Sequence, residues 1–205
     1  MNSDLTFITN EENRNLSERF KVLIKDTRLF DVLVGYFYTS GFHAIYKSLE
    51  NTEKIRILIG ISTNKQAIEL IQNAKSNHQS ILPYSHAEVK EQFEQSVTEE
   101  VEKSEDRPEV EGGILKFIEW LKNGKLEIRA YPTENIHAKL YIMTFVEGDR
   151  DVGRVITGSS NFTQSGLIDN FEFNVELKTR ADYEFALQKF NELWKDAVDV
   201  SERYV

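Results

Sequence analysis

The chain has 205 residues, 40% hydrophobic, 29% charged and 11% aromatic, the composition of an ordinary globule large enough for a full core. It has no cysteine, which excludes disulfide scaffolds, thiolate metal sites and cysteine nucleophiles and makes a reducing cytoplasm the expected compartment. The net charge of −9 opposes a nucleic-acid partner at first sight, but −7 of it lies between Glu88 and Glu111, so a locally basic site elsewhere is not vetoed.

The start, MNSDLTFITNEENRN, lacks the basic and apolar regions of a signal peptide, and no apolar run approaches the roughly 18–20 residues of a membrane span. Residues 11–25 read as an opening helix with Leu16, Phe20, Leu23 and Ile24 on one face. DVLVGYF (31–37) is a β-branched run typical of a buried strand. Thr39, Ser40 and Gly41 then lead into a helical stretch, FHAIYKSLEN. KIRILIGIS (54–62) is a second buried strand, followed by a helix over 64–74. This alternation favours an α/β layer with partly parallel strands. A loop over 77–83 and an acidic helix over 86–103 follow. The stretch SEDRPEVEGG (104–113) reads as an exposed break. ILKFIEWLKNG (114–124) is an amphipathic helix closed by Gly124. KLEIRAYP, IHAKLYIMTFV, RVITGSS and FEFNVELK are all strand-like, and a last helix spans 183–198 with Phe185, Phe190, Leu193 and Trp194 as anchors. The sum is a mixed sheet with helices on both faces.

The chemistry concentrates in the third quarter of the strands. In IHAKLYIM, alternation puts His137, Lys139 and Tyr141 on one face and Ala138, Leu140 and Ile142 on the other. With the apolar trio as the core face, an imidazole and an ammonium share the open face, about 6.5–7 Å apart along the strand. That spacing suits a grip on one phosphate. Gly148 and Asp149 are turn formers, so the next strand returns as a hairpin. A turn centred on Asp149 sets Asn161 opposite His137 and Ser159 opposite Lys139. In FEFNVELK, Phe171, Phe173, Val175 and Leu177 face one way, and Glu172, Asn174 and Glu176 the other. One of those carboxylates can accept the second ring proton of an imidazole. Ser159 and Ser160 serve either as turn residues or as phosphate contacts. His43, His78 and His86 show no ligand spacing, and Tyr36, Phe37 and Tyr38 read as core packing rather than base-stacking rings.

His137-Ala138-Lys139 followed by Gly158-Ser159-Ser160-Asn161 resembles the H-x-K and G-S-x-N signature of the phospholipase D superfamily. Glu172, eleven residues past Asn161, is similar to the variant in its restriction-endonuclease branch, and that spacing favours Glu172 over Glu176. The segments DVLVGYFYTSGF and KIRILIG look like the phospholipase D-like domains that precede superfamily-two helicase modules in bacterial proteins. Two departures stand out. Thr144 occupies the position of the signature's Asp, which is also absent from the restriction-type branch. The loop over 147–153 lengthens the Lys-to-Gly interval, at small cost in a hairpin turn.

The resemblance implies one phospholipase D-like domain over 1–205, with 86–113 as an insertion, in what is expected to be part of a longer chain. It implies a nucleophilic His137 forming a phosphohistidine, with Lys139 and Asn161 holding phosphate oxygens; Glu172 is expected to orient the imidazole, and Ser159 and Ser160 to contact the substrate. It implies no metal and no cofactor. Two motifs are needed per active site and the chain offers one, so a homodimer is expected. The leading expectation is a cytoplasmic, metal-independent phosphodiesterase acting on DNA. The alternative is a non-catalytic DNA-binding module of a helicase or restriction system. Lipid hydrolysis is disfavoured, because no basic amphipathic helix is available to meet a bilayer.

Overall fold

In the computed structural model, residues 6–11, 14–35, 37, 39–60, 108–131, 136–149 and 151–200 are described. The expected helices over 64–74 and 86–103, the loop between them, and Tyr36, Tyr38, His78 and His86 lie outside these residues. The elements, in chain order, are β1 (Phe7–Ile8), α1 (Leu16–Leu23), β2 (Thr27–Val34), α2 (Thr39–Ile45), β3 (Lys54–Gly60), α3 (Pro108–Lys122), β4 (Leu126–Tyr131), β5 (Lys139–Phe145), β6 (Gly153–Gly158), β7 (Asn174–Leu177), α4 (Arg180–Asp196) and β8 (Val198–Asp199). The strands form one mixed sheet in the order β1-β7-β6-β5-β2-β3-β4-β8. β2, β3 and β4 run parallel, and β5 lies antiparallel on β2. β6, β7 and β1 continue antiparallel from β5, and β8 pairs antiparallel with β4.

Both faces of the sheet are buried. Phe20 of α1, Phe42 and Ile45 of α2, and Phe117, Trp120 and Leu121 of α3 cover one face against Phe30, Val32, Ile57, Ile128, Tyr141 and Ile156. On the other face, Tyr183, Ala186, Phe190 and Trp194 of α4 pack on Leu33, Leu58, Ile142 and Val155. The expected mixed sheet with helices on both faces is therefore present, and Leu16, Phe20, Leu23 and Ile24 are all buried as the helical periodicity requires.

Three expectations need correction. Helix α1 begins only at Leu16, because Asn15 caps it by accepting from the Glu18 amide at 2.9 Å. Asn10, at φ 59°, accepts from the Leu16 amide at 2.8 Å through its side chain. The break expected over 104–113 is helical from Pro108 onward. Gly112 and Gly113 lie inside α3, where a Cβ on Gly113 would fall 2.7 Å from Cδ2 of His43. The glycine thus permits close packing of α3 on α2, at the position where composition suggested a break. Phe185, expected as a core anchor, is 65% exposed. Tyr183, Ala186, Phe190 and Trp194 make one stripe at helical spacing, and a residue two positions past Tyr183 points away from it.

His43 of α2 is half-buried in this helix contact, and its Nε2 is buried without a hydrogen-bond partner among the described residues. Burial holds its pKa below the ordinary histidine value of 6.5. The folded protein therefore binds fewer protons at His43 than the unfolded chain does, so its stabilising share is complete above that value and declines as pH falls through it. Thermal unfolding followed from about pH 7.5 to about pH 5 should show a fall in Tm that the His43→Gln substitution diminishes.

Candidate functional site

The carboxyl ends of β2, β3 and β4 open at one end of the sheet, the place where open α/β sheets present ligand-binding groups. The segment leading into β5 crosses these ends. A Cβ on Gly35 would fall 2.8 Å from the Ile136 carbonyl oxygen, and one on Gly60 would fall 2.7 Å from it. Two glycines at the ends of adjacent parallel strands thus provide the seat on which the backbone before His137 lies. His137 is exposed, and its ring makes no hydrogen bond to any of the described residues. Lys139 opens β5 opposite Val34. Its Nζ donates to the His137 carbonyl at 2.9 Å, keeping the ammonium beside the imidazole's own residue.

The hairpin register differs from expectation by one residue. Tyr141 pairs with Ile156 and Leu140 with Thr157, so Lys139 stands beside Gly158 rather than Ser159. β6 ends at Gly158, and Asn161 is not a cross-strand partner of His137. The cause is packing: Tyr141 and Ile156 are both fully buried in the same core, and a one-residue slip would turn Ile156 to the opposite face. Nor is the side of β5 that carries Lys139 and Tyr141 open along its length. It faces the larger core, and only the end bearing His137 and Lys139 emerges from it.

Beyond β6 the Gly-Ser-Ser-Asn turn splits its residues between surface and interior. Ser159 is exposed; its hydroxyl donates to the Glu172 carboxylate and accepts from the Phe173 amide at 2.9 Å. Ser160 is fully buried, with its hydroxyl accepting from Nδ2 of Asn174 at 2.8 Å. Asn161 is half-buried, and its Oδ1 is buried with no hydrogen-bond partner among the described residues. The next residue, Phe162, is buried and bridges to Phe37, whose ring stacks between Phe162 and Phe117. Phe37 is thus a packing residue, as read from the sequence.

Glu172 is half-buried just before β7. Burial, and secondarily the charge of Glu172, push the Tyr141 phenol well above its usual range, so the phenol stays protonated. Glu176 is engaged elsewhere: it is 1% exposed and receives Nε and Nη2 of Arg19 at 2.6 and 2.8 Å, with Arg154 at 3.4 Å. The two faces of this strand are also the reverse of a simple core pattern. Asn174 and Glu176 point inward, while Phe171 and Phe173 are 70% and 52% exposed. At the sheet edge Phe7 and Ile8 of β1 pair with Val175 and Asn174 of β7, and Phe173 packs on the exposed Phe7.

Hydrogen bonds thus join Ser159 to Glu172 and Lys139 to His137, while no such bond among the described residues joins the His137 ring to Glu172 or Asn161. Among the described residues, no group of three or more His, Asp or Glu side chains could hold a metal ion. Tyr141 and Asn174, which alternation placed with Lys139 and with Glu172, are both buried and hydrogen-bonded to Ser160, contacts the sequence did not indicate.

A family model described as "Cardiolipin synthase, PLD-like domain" matches residues 27–194. No curated protein matches the chain. Among solved structures, the phosphatidylserine synthase of Haemophilus influenzae Rd KW20 is 14% identical, with a TM-score of 0.51 over 96% of this chain and 39% of that one. A phospholipase D family member, Nuc, from Salmonella typhimurium is 14% identical at a TM-score of 0.48, covering 88% of each chain. An archaeal chromatin protein is 16% identical at 0.45 over 96% of this chain. The chain spans 56% of the length of the chromatin protein.

The two acids before and in β7 are separable by experiment. Removing a buried charge from a paired network costs roughly 3 kcal/mol or more. Glu176→Leu should therefore lower the unfolding free energy measured in urea by about that amount, whereas Glu172→Gln, at a half-exposed position, should change it by less than about 1 kcal/mol.

Proposed function

The chain belongs to the phospholipase D-like family, and on that premise we propose that it is a metal-independent phosphodiesterase acting on DNA through a phosphohistidine in a dimeric active site. The observation that carries this reading is the exposed His137 ring, which makes no hydrogen bond among the described residues, beside Lys139 at the open end of the sheet. A nucleophile needs an unengaged lone pair and an approach from solvent, and a phosphodiester needs a fixed cation at its non-bridging oxygens.

In this mechanism a ring nitrogen of His137 attacks phosphorus. A P–N bond forms, the P–O bond to the leaving group breaks, and the leaving oxygen takes a proton from His137 of a second copy of the chain. Water then attacks the phosphohistidine, giving up its proton to that second histidine as the P–N bond breaks. Lys139 and the Asn161 amide meet the charge on the equatorial oxygens. Glu172 orients His137 and stabilises its imidazolium form, which requires it to move from its present partner, Ser159. Ser159, exposed at the same turn, is the hydroxyl left to contact substrate. Ser160, enclosed by protein, acts on the site's shape rather than on the substrate. The proposal extends to the setting: a cytoplasmic homodimer, one module of a longer helicase-associated or restriction-type protein.

A second reading, a DNA-binding module without turnover, is favoured by one observation: Glu172 is bonded to Ser159 and not to the His137 ring. One experiment separates the two. Duplex DNA and bis(p-nitrophenyl) phosphate are each incubated with the protein in excess EDTA. Cleavage should persist and fall by about 10³-fold or more in His137→Ala. Loss of cleavage on chelation, or its survival in the variant, ends the proposed mechanism, and salt-dependent DNA binding without cleavage supports the second reading.

A further inference from the structure

We infer that Tyr141 and Asn174 are positioning residues, which lock Ser160 so that the Asn161 amide is presented at one place in the site. The inference rests on the reading of Asn161 as a phosphate-holding group. Its basis is the way Ser160 is held. The Ser160 amide donates to Oδ1 of Asn174 at 3.3 Å, its hydroxyl accepts from Nδ2 of the same residue at 2.8 Å, and its carbonyl accepts from the Tyr141 hydroxyl at 2.8 Å. Backbone donor, backbone acceptor and side chain of one residue are all taken by two side chains, one from β5 and one from β7. Ser160, Tyr141 and Asn174 are each 0% exposed.

Two buried polar side chains spent on one serine call for an explanation, because apolar residues of similar shape fill such a place at little or no loss. What the bonds accomplish is orientation of the next peptide. Asn161 lies between two enclosed neighbours, Ser160 at 0% and Phe162 at 1% exposure. Its own carbonyl accepts from the Thr163 amide at 2.9 Å, and a Cβ on Gly166 would fall 2.4 Å from that oxygen. With backbone held on both sides and Oδ1 turned inward, the amide's NH₂ is the end left for the open side. The two clamps are themselves stiff. Tyr141 sits against Phe20 and Phe162, with ring centroids at 5.0 and 6.2 Å. Its phenol keeps its proton, so the donor to Ser160 persists across the working pH range. Asn174 belongs to β7 and pairs with Gly158, which ties the clamp to the strand that carries the turn.

Tyr141→Phe removes one hydroxyl and retains the ring, and it is the variant expected to fold unchanged. With bis(p-nitrophenyl) phosphate, its kcat should fall about tenfold while KM changes less than about twofold. The same substitution in an Asn161→Ala background should lower kcat no further, since the group it positions is gone. A merely structural role would lower kcat equally in both backgrounds. Independently of turnover, the side-chain amide resonances of Asn161 should shift or broaden in Tyr141→Phe and in Asn174→Ala, with the β2 and β3 backbone signals unmoved. Unchanged Asn161 resonances in Tyr141→Phe, or an undiminished kcat loss in the Asn161→Ala background, overturn the inference. A wild-type protein with no hydrolysis defeats the phosphodiesterase reading alone, and the amide resonances still decide the positioning.

Discussion

The constraint on which the rest depends is the burial of Tyr141 in strand β5. Its ring is enclosed by Phe20 and Phe162, so the strand can take only the register that turns Tyr141 and Ile156 into the same core. Alternation along β5 then carries the same face outward to Lys139, and the chain before it across Gly35 and Gly60 to His137. The candidate nucleophile and its cation are thus fixed by a contact two residues inside the core. The phenol's single hydroxyl extends that control to the neighbouring turn through the Ser160 carbonyl. One side chain therefore bears on both halves of the signature.

The charges inside the fold show how the sheet is held against its helices without an all-apolar interior. Asp31 of β2 is 0% exposed and receives Nε and Nη2 of Arg56 at 2.6 and 2.7 Å. Burial raises its pKa, and the Arg56 hydrogen bond and charge pull it back down. The same guanidinium lies 4.9 Å from the Phe190 ring centre and 5.5 Å from that of Trp194, so it ties α4 to the sheet by charge and by stacking together. Glu176 with Arg19 and Arg154 plays the equivalent part between β7, α1 and β6. Thr144, at the position of the signature's missing Asp, shares a 2.8 Å hydrogen bond with the Tyr183 hydroxyl of α4. These polar ties all lie away from the open end of the sheet.

Much of this was legible in the residues. The apolar periods of α1, β2, β3 and α3 are dense enough to identify, and the Gly124 terminus of α3 appears with the φ of +75° that glycine tolerates best. The Gly-Ser-Ser-Asn turn after a hairpin is a local pattern and survives as such, whereas the strand expected to hold both His137 and Lys139 begins only at Lys139, leaving His137 in the segment before it. The errors share a different character. The hairpin slip, the exposure of Phe185, and the helical path of Gly112 and Gly113 were each decided by a partner distant in the chain. Phe173 finds its described ring partner in the exposed Phe7 of the edge strand β1, a neighbour that no pattern within FEFNVELK reports.

By itself, then, the sequence determined which side chains could take part in the chemistry and that Lys139 and Tyr141 would share one face of a strand, because alternation is a property of the backbone alone. It also determined the α/β layering, because strand and helix periods are local. Only the tertiary structure decided which carboxylate stays near the open end and which is bound by arginine, and which of the two serines meets solvent. Those outcomes depend on register and burial, which are set by the volume of side chains far apart in the chain and packed together only in the folded core.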